Sequence, residues 1–381
     1  MARRSDSASH TNLALGKLVG KRWKIVQKLG QGGFGAVFMA EDQFTNQMVA
    51  LKIESNAMPG GSVLKLEAQI LKRLTGRKFV TQLIHAGRKE KYCYMVMTLL
   101  GDSLEKLFRR CNKEFTVSTQ IRLGIHILFG IKQIHEVGYV HRDIKPANLA
   151  MGKSGREAKI VHVLDFGLSR EFICITDGRV EMRMERGRCL FRGTTRYCST
   201  NVHARREQSR ADDLWSMLYV MAEMRGRLPW HYLKEKPAIG EQKAATTDVR
   251  LLSKCPIQML EIPKHLRELG YYCRPDYHYI YQTLTGIMTT YGYKFMDDYD
   301  WERQTTEYSK PKSRISSVFS RIRTIEDNSV EKTLTIDAGT SGSKLLKGSV
   351  SPTSPTATLD DTEDDNGLYR EEDFAKNELG F

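Results

Sequence analysis

The chain has 381 residues, 40% of them hydrophobic, enough to build one large two-lobed domain or two ordinary ones. Its net charge of +14 is uneven: residues 302–381 hold 11 basic against 15 acidic side chains, which leaves +18 on residues 1–301. Seven scattered cysteines, none spaced as CxxC, argue against a disulfide framework or a zinc site, and no apolar run approaches membrane-spanning length.

Met1 to about Leu18 is small, polar and weakly patterned, without the apolar stretch of a secretory signal, so residues 1–22 are expected to be a disordered tail of an intracellular protein, in the cytoplasm or nucleus. From Trp23 to about Met97 the pattern is strand-like, in Trp23–Leu29, Ala36–Ala40 and Met48–Ile53. One helix interrupts these strands over about Ser62–Leu74, where Leu64, Leu66, Ile70, Leu71 and Leu74 recur mostly three or four apart. From Asp102 helices dominate, including Ser103–Arg110 and an apolar one over Thr119–Val137. A small, mainly β lobe (23–97), a connection at 98–101 and a larger, mainly α lobe (102–301) make an α+β, two-lobed fold with a cleft at the connection. Residues 302–381 are Ser/Thr-rich and then acidic, with too few apolar residues for a core, and are expected to be a disordered tail.

Three motifs carry chemistry. Gly30-Gln31-Gly32-Gly33-Phe34-Gly35-Ala36-Val37 stands between two strand patterns, where glycines let backbone N–H groups approach phosphate oxygens. The same spacing opens dinucleotide-binding folds, but those need a helix straight after the glycines, and Ala36–Ala40 is strand-like. Lys52 lies in the apolar strand Val49–Ile53, a costly position unless its charge is matched, and Glu67 on the following helix is the candidate partner. The third and most specific string is His141-Arg142-Asp143-Ile144-Lys145-Pro146-Ala147-Asn148, followed by Asp165-Phe166-Gly167. It supplies a carboxylate for an attacking hydroxyl, oxygen ligands for Mg2+ and a cation for phosphoryl oxygens. Asp143 is the expected base, Lys145 the γ-phosphate cation, and Asn148 and Asp165 the metal ligands. There is no GxxxxGK[ST] loop, and His135, Glu136 and His141 miss HExxH spacing, so a P-loop NTPase and a zinc protease are not expected. The four tryptophans lack an interleaved aromatic and basic pattern, so nucleic-acid binding is not expected either.

Over Trp23–Trp301 the chain resembles the eukaryotic protein kinases, and Lys145 resembles the Ser/Thr form of their catalytic loop. Leu99–Leu104 and Ser199-Thr200-Asn201, the latter where most kinases have Ala-Pro-Glu, are similar to the casein kinase 1 group. Phe191-Arg192-Gly193-Thr194 and Asp212–Ser216 look more like its tau-tubulin kinase branch. The resemblance implies ATP and Mg2+ as cofactors, with ATP held by Leu29, the glycine motif, Val37, Ala50, Lys52, Glu67, the gatekeeper Met97 and the hinge Thr98, Leu99 and Leu100. It implies that Asp213 supports the catalytic loop from a buried helix, and that Arg196 and Lys234 meet acidic or phosphorylated groups of a substrate. It also suggests a monomer acting on protein Ser/Thr near acidic residues, with cytoskeletal proteins as candidate substrates. The alternative is a pseudokinase or scaffold that uses the basic lobe to bind a partner. Finally, Thr358, Thr362 and the serines before Pro352 and Pro355 adjoin the acidic run, which leaves two readings of the tail, an autoinhibitor that occupies the basic cleft or a solubilising extension.

Overall fold

The computed structural model describes residues 11–32, 35–57, 61–303 and 369–381. Gly33, Phe34 and the tail hydroxyls named above therefore lie outside the described residues. No helix among the described residues is long and apolar enough to cross a membrane.

The small lobe is one antiparallel sheet of β1 (Leu18–Val19), β2 (Trp23–Gly32), β3 (Gly35–Asp42), β4 (Met48–Ser55), β5 (Leu83–Arg88) and β6 (Tyr92–Thr98), in the order β1-β2-β3-β4-β6-β5. On β3 every second residue is buried, as period-two patterning requires for a sheet with one covered face. Trp23, Ile25, Phe38, Leu51, Ile53, Tyr94 and Val96 fill that face. The sheet begins earlier than expected, because Val19 pairs with Trp23 and is buried in the same core, and Leu13 packs against it. Residues 11–22 are thus not the free tail the sequence suggests.

Between β4 and β5 runs α1 (Val63–Arg73), capped by Ser62, whose side chain accepts the Lys65 N–H. Its apolar stripe buries Leu64, Ile70 and Leu71, each worth about 2 kcal/mol of burial. The loop leaving α1 is fixed to the large lobe by two backbone bonds, Val163 N–H to Phe79 O at 2.9 Å and Thr81 N–H to Val163 O at 3.1 Å.

The large lobe opens with α2 (Leu104–Arg110), capped by Ser103, and α3 (Val117–Glu136), capped by Thr116. Nearly all of α3 is buried, Arg122 included. That guanidinium has its donors satisfied by backbone carbonyls, donating to Asp297 O and Asp298 O at 2.5 and 3.1 Å while stacking over Tyr299. Short strands follow: β7 (Tyr139–Val140), β8 (Leu149–Met151), β9 (Val161–Val163), β10 (Arg170–Glu171), β11 (Ile173–Thr176) and β12 (Arg179–Met182). They pair β7 with β10, β8 with β9 and β11 with β12. Helices α4 (Thr200–His203), α5 (Arg210–Met224), α6 (Lys236–Ala245), α7 (Asp248–Leu251), α8 (Glu261–Arg267) and α9 (Tyr277–Tyr291) complete the lobe.

The end of the chain departs from the expectation of a disordered tail. Residues 369–381 include a short helix, α10 (Glu371–Ala375), and bury Tyr369 and Phe374 against the large lobe. Phe374 stacks on Tyr281 at 4.1 Å between centroids, so aromatic burial supplies what the acidic composition concealed.

Candidate active site

Strand register places the first half of the site. Val37 faces Lys52 and Met97 faces Ala50 across the ladder, so these four side chains share one face of the sheet. Gly30 pairs with Val37, and Gly32 with Gly35. Gly35 is required here: at φ +148°, a Cβ would lie 1.9 Å from Ile53 O. Leu29 is exposed at the start of this hairpin and Gln31 lies within it. Thr98 ends β6, Leu99 is buried and Leu100 half-buried, and the Gly101 N–H donates to Met151 O at 2.7 Å, tying the interlobe connection to β8.

Lys52 and Glu67 do meet. The ammonium donates to both Glu67 oxygens at 2.9 and 2.7 Å and to Asp165 Oδ1 at 3.1 Å. The Phe166 N–H adds a bond to Glu67 Oε1 at 3.1 Å, so one carboxylate on α1 holds both the lysine and the strand-to-loop turn carrying Asp165. Burial pulls the Lys52 pKa down, but the charges of Glu67 and Asp165 outweigh it and hold the group above its usual value. Burial likewise pushes the Glu67 carboxyl up, opposed by the Lys52 charge and by hydrogen bonds from Lys52 and the Phe166 N–H. Burial raises Asp165 as well, and the Lys52 charge more than reverses this, leaving it below the usual carboxylate range. Its backbone is left-handed, φ +67°, a strained setting typical of functional turns.

The second half is built around Asp143. One of its oxygens accepts the Thr194 N–H at 2.9 Å and the Thr194 hydroxyl at 2.7 Å; the other accepts Lys145 at 2.6 Å and Asn148 Nδ2 at 3.2 Å. Asn148 Nδ2 also donates to Asp143 O at 3.0 Å, which commits the amide nitrogen inward and leaves Oδ1 as the ligand-capable atom. Gly193 lets Thr194 come this close, since at φ +107° a Cβ there would meet Arg142 O at 2.6 Å.

Asp213, on the buried first turn of α5, accepts the N–H groups of His141 and Arg142 at 2.7 and 2.8 Å. It also bonds His135 Nε2 at 2.9 Å, and His135 Nδ1 lies 2.7 Å from the Tyr277 hydroxyl. Burial lowers the His135 pKa, so the ring is neutral, donating from Nε2 and accepting from tyrosine. Burial raises the Asp213 carboxyl, and these donors pull it below its ordinary value.

The neighbouring Asp212 faces the other way. Its carboxylate accepts the Ser209 N–H at 2.6 Å, closing a capping box, and the Asn201 Nδ2 at 3.2 Å together with the Ser199 hydroxyl. Lys243 adds bonds to Thr195 O and Cys198 O at 2.8 and 2.5 Å, and burial lowers its pKa to about 8. These groups brace the segment where the Ala-Pro-Glu glutamate is missing. Sequence spacing alone could not identify them, because Lys243 reaches its carbonyls only when α6 is folded against that segment.

A cavity of about 960 Å3 adjoins Lys145 and Thr194 and is also lined by Arg109, Lys113, Arg196, Arg227, His231 and Lys254. Arg196 is not a free cation there. It donates to Glu223 Oε1 at 2.6 Å and lies 2.9 Å from His231 Nδ1. Lys234 is exposed and is not among the lining residues of that cavity.

The paired Lys52 and Glu67 and the Asp143 cluster supply the kinds of group that phosphoryl transfer requires. The protein kinase domain matches residues 23–270, and the chain belongs to the protein kinase family, whose phosphoryl donor is ATP with a divalent metal. It is a protein serine/threonine kinase. A Caenorhabditis elegans protein named as a serine/threonine-protein kinase is 49% identical over 292 residues, 76% of this chain and 84% of that protein. An inactive tau-tubulin kinase of the same organism is 35% identical over 258 residues, 65% of this chain and 89% of that protein. A casein kinase I homologue of Kluyveromyces lactis is 32% identical over 293 residues, 74% of this chain and 54% of that protein.

Proposed function

We propose that this kinase is catalytically active with Mg2+, belongs with the tau-tubulin kinases of the casein kinase 1 group, and prefers substrates with acidic or phosphorylated residues near the acceptor. The observation that carries activity is the Glu67 carboxylate bonding Lys52 and the Phe166 N–H at once. A protein that only binds partners does not need that joint arrangement.

Lys52 holds the α- and β-phosphates, while Asp143 orients the acceptor hydroxyl and takes its proton. Lys145, 2.6 Å from Asp143, offsets charge on the transferred group. Asn148 and Asp165 offer oxygen donors, as Mg2+ requires. Among the described residues no cluster of three or more His, Cys, Asp or Glu side chains forms a protein-only cage, which suits a metal held by one or two side chains plus nucleotide phosphates. A Mg2+ ion held by Asn148 and Asp165 would supply positive charge to offset that of the phosphate oxygens. The hairpin of Gly30, Gln31, Gly32 and Gly35 covers the phosphates, with the adenine against Leu29, Val37, Ala50, Met97 and the Thr98–Leu100 connection.

The acidic preference follows from the cavity beside Lys145, in which Arg109, Lys113, Arg196, Arg227 and Lys254 outnumber Glu105, Glu114 and Glu223. Cytoskeletal substrates of the tubulin-associated kind accord with the branch likeness. Transfer of labelled phosphate to matched peptides, neutral or carrying phosphoserine near the acceptor, tests both parts. Transfer no greater than with Asp165→Asn refutes the active reading, and equal kcat/KM for the two peptides refutes the acidic preference alone.

A further inference from the structure

The segment Tyr369–Phe381 is fastened to parts of the lobe that are not the nucleotide or catalytic residues but lead directly to them. Towards its C-terminal end, Glu378 pairs with Arg77 through both terminal guanidinium nitrogens, while its N–H donates to Glu136 Oε2 at 2.6 Å. Arg77 belongs to the loop that leaves α1 and is fixed to β9 through Phe79 O and Thr81 N–H. The ring of Phe79, in left-handed backbone at φ +61°, packs among His126, Phe129 and Tyr369. In the middle, Phe374 sits between Phe129 and Tyr281, and Glu371 bonds His278 and Gln282 at 2.8 and 3.0 Å. Directly after Glu378, Leu379 and Phe381 pack against Val140, Phe172 and Ile173, and Arg210 donates to Phe381 O at 2.9 Å.

Val140 is the residue before His141, and its strand β7 pairs with β10, three residues after Gly167. The same thirteen residues therefore grip the loop behind α1, which carries Glu67, and the small sheet from which the Asp143 and Asp165 loops emerge. Polar partners match along the way: Glu378 of the segment meets the Arg77 cation, and Glu371 bonds His278.

We propose that Tyr369–Phe381 is an activating strap, a positioning element that holds α1 and the β7–β10 pair in the arrangement joining Lys52, Glu67 and Asp165 to Asp143. This rests on the roles assigned to those residues above. Docking of this segment supports turnover, the opposite sign from a tail that blocks the cleft.

The test uses the full chain with Phe374→Ala, Glu378→Arg, Arg77→Glu and the Glu378→Arg/Arg77→Glu pair. Phe374→Ala and each single charge variant are expected to lose about tenfold in kcat with KM for ATP little changed, since small misplacements remote from the chemistry are costly. The paired swap is expected to recover most of the loss, and added Tyr369–Phe381 peptide to restore Phe374→Ala. An unchanged kcat in Phe374→Ala and the charge variants overturns the proposal, as does a raised one, which would mark the segment as an inhibitor. Amide exchange over residues 77–82 and 139–143, read in the Asp165→Asn background, checks the strap without turnover. Faster exchange on adding Phe374→Ala is expected, and unchanged exchange overturns the proposal even if the chain proves inactive.

Discussion

Thr194 gives both its N–H and its hydroxyl to a single oxygen of Asp143, at 2.9 and 2.7 Å. The hydroxyl also receives a bond from Lys145 at 3.1 Å, so this threonine joins the base to the cation on which it depends. Thr194→Val keeps the backbone bond and removes the other two. We expect kcat to fall by about tenfold to a hundredfold with KM for ATP unchanged, in the range of positioned acid–base groups. A steady-state titration of ATP and peptide checks this, and an unaltered kcat would refute it.

Lys52 and Glu67 make a second, separable prediction. Lys52→Met leaves a carboxylate that is 2% exposed with only the Phe166 N–H as partner, at a cost of about 3 kcal/mol in stability. Adding Glu67→Leu removes the orphaned charge. The double variant should therefore regain much of the unfolding free energy while staying inactive, as denaturant melts and phosphate transfer would show together.

His126 sets an acid limit on the fold. The ring is fully enclosed, packed near Phe79 and Phe295, and neither nitrogen has a hydrogen-bond partner among the described residues. Burial lowers its pKa to about 3. Between that value and the unfolded one, about 6.5, the unfolded chain binds the extra proton, so stability increases with pH across this window and falls on acidification. The contribution is about 1.4 kcal/mol per pH unit. His126→Phe should flatten the decline between about pH 6 and pH 4 relative to the parent, measured by urea midpoints; parallel curves would disprove the assignment.

Gly35→Ala offers a steric test. The methyl group would have to displace Ile53 O of β4, so β3 must part from β4 at the point where the β2–β3 hairpin turns. KM for ATP should rise by about tenfold while the large lobe keeps its exchange protection. An unaltered KM would remove this hairpin from the nucleotide site.

The candidate site is legible in sequence because its residues fall in short runs with fixed spacing, and the pairing of Lys52 with Glu67 follows from the cost of an unmatched charge. Helix interiors were also legible. The start of α3 was placed at Thr119 rather than Val117, because the cap at Thr116 falls outside the apolar periodicity. Long-range partners were hidden: Thr194 lies 51 residues from Asp143, and Lys243 lies 45 residues from Cys198. The end of the chain was misjudged for a different reason. Tyr369 and Phe374 are too few to announce a core, and the acidic residues around them look solvated until Arg77 and His278 are brought alongside. Arg196 shows the converse: a cation expected to meet a substrate also has a partner in its own chain, Glu223, that spacing does not reveal.

Asp212 and Asp213 are consecutive residues whose carboxylates serve opposite clients, the turn around Ser199 and Asn201 and the loop of His141 and Arg142. Successive side chains on a helix diverge by about 100°, so their divergence is a property of one backbone turn. That turn works as a gauge between the segment around Ser199 and Asn201 and the loop that carries Asp143. Inserting or deleting one residue ahead of Asp212 would swing both carboxylates away together, and no repair on one side could restore the other. Evolution can vary the residues around that segment, but this dipeptide makes their distance from the chemistry a fixed length.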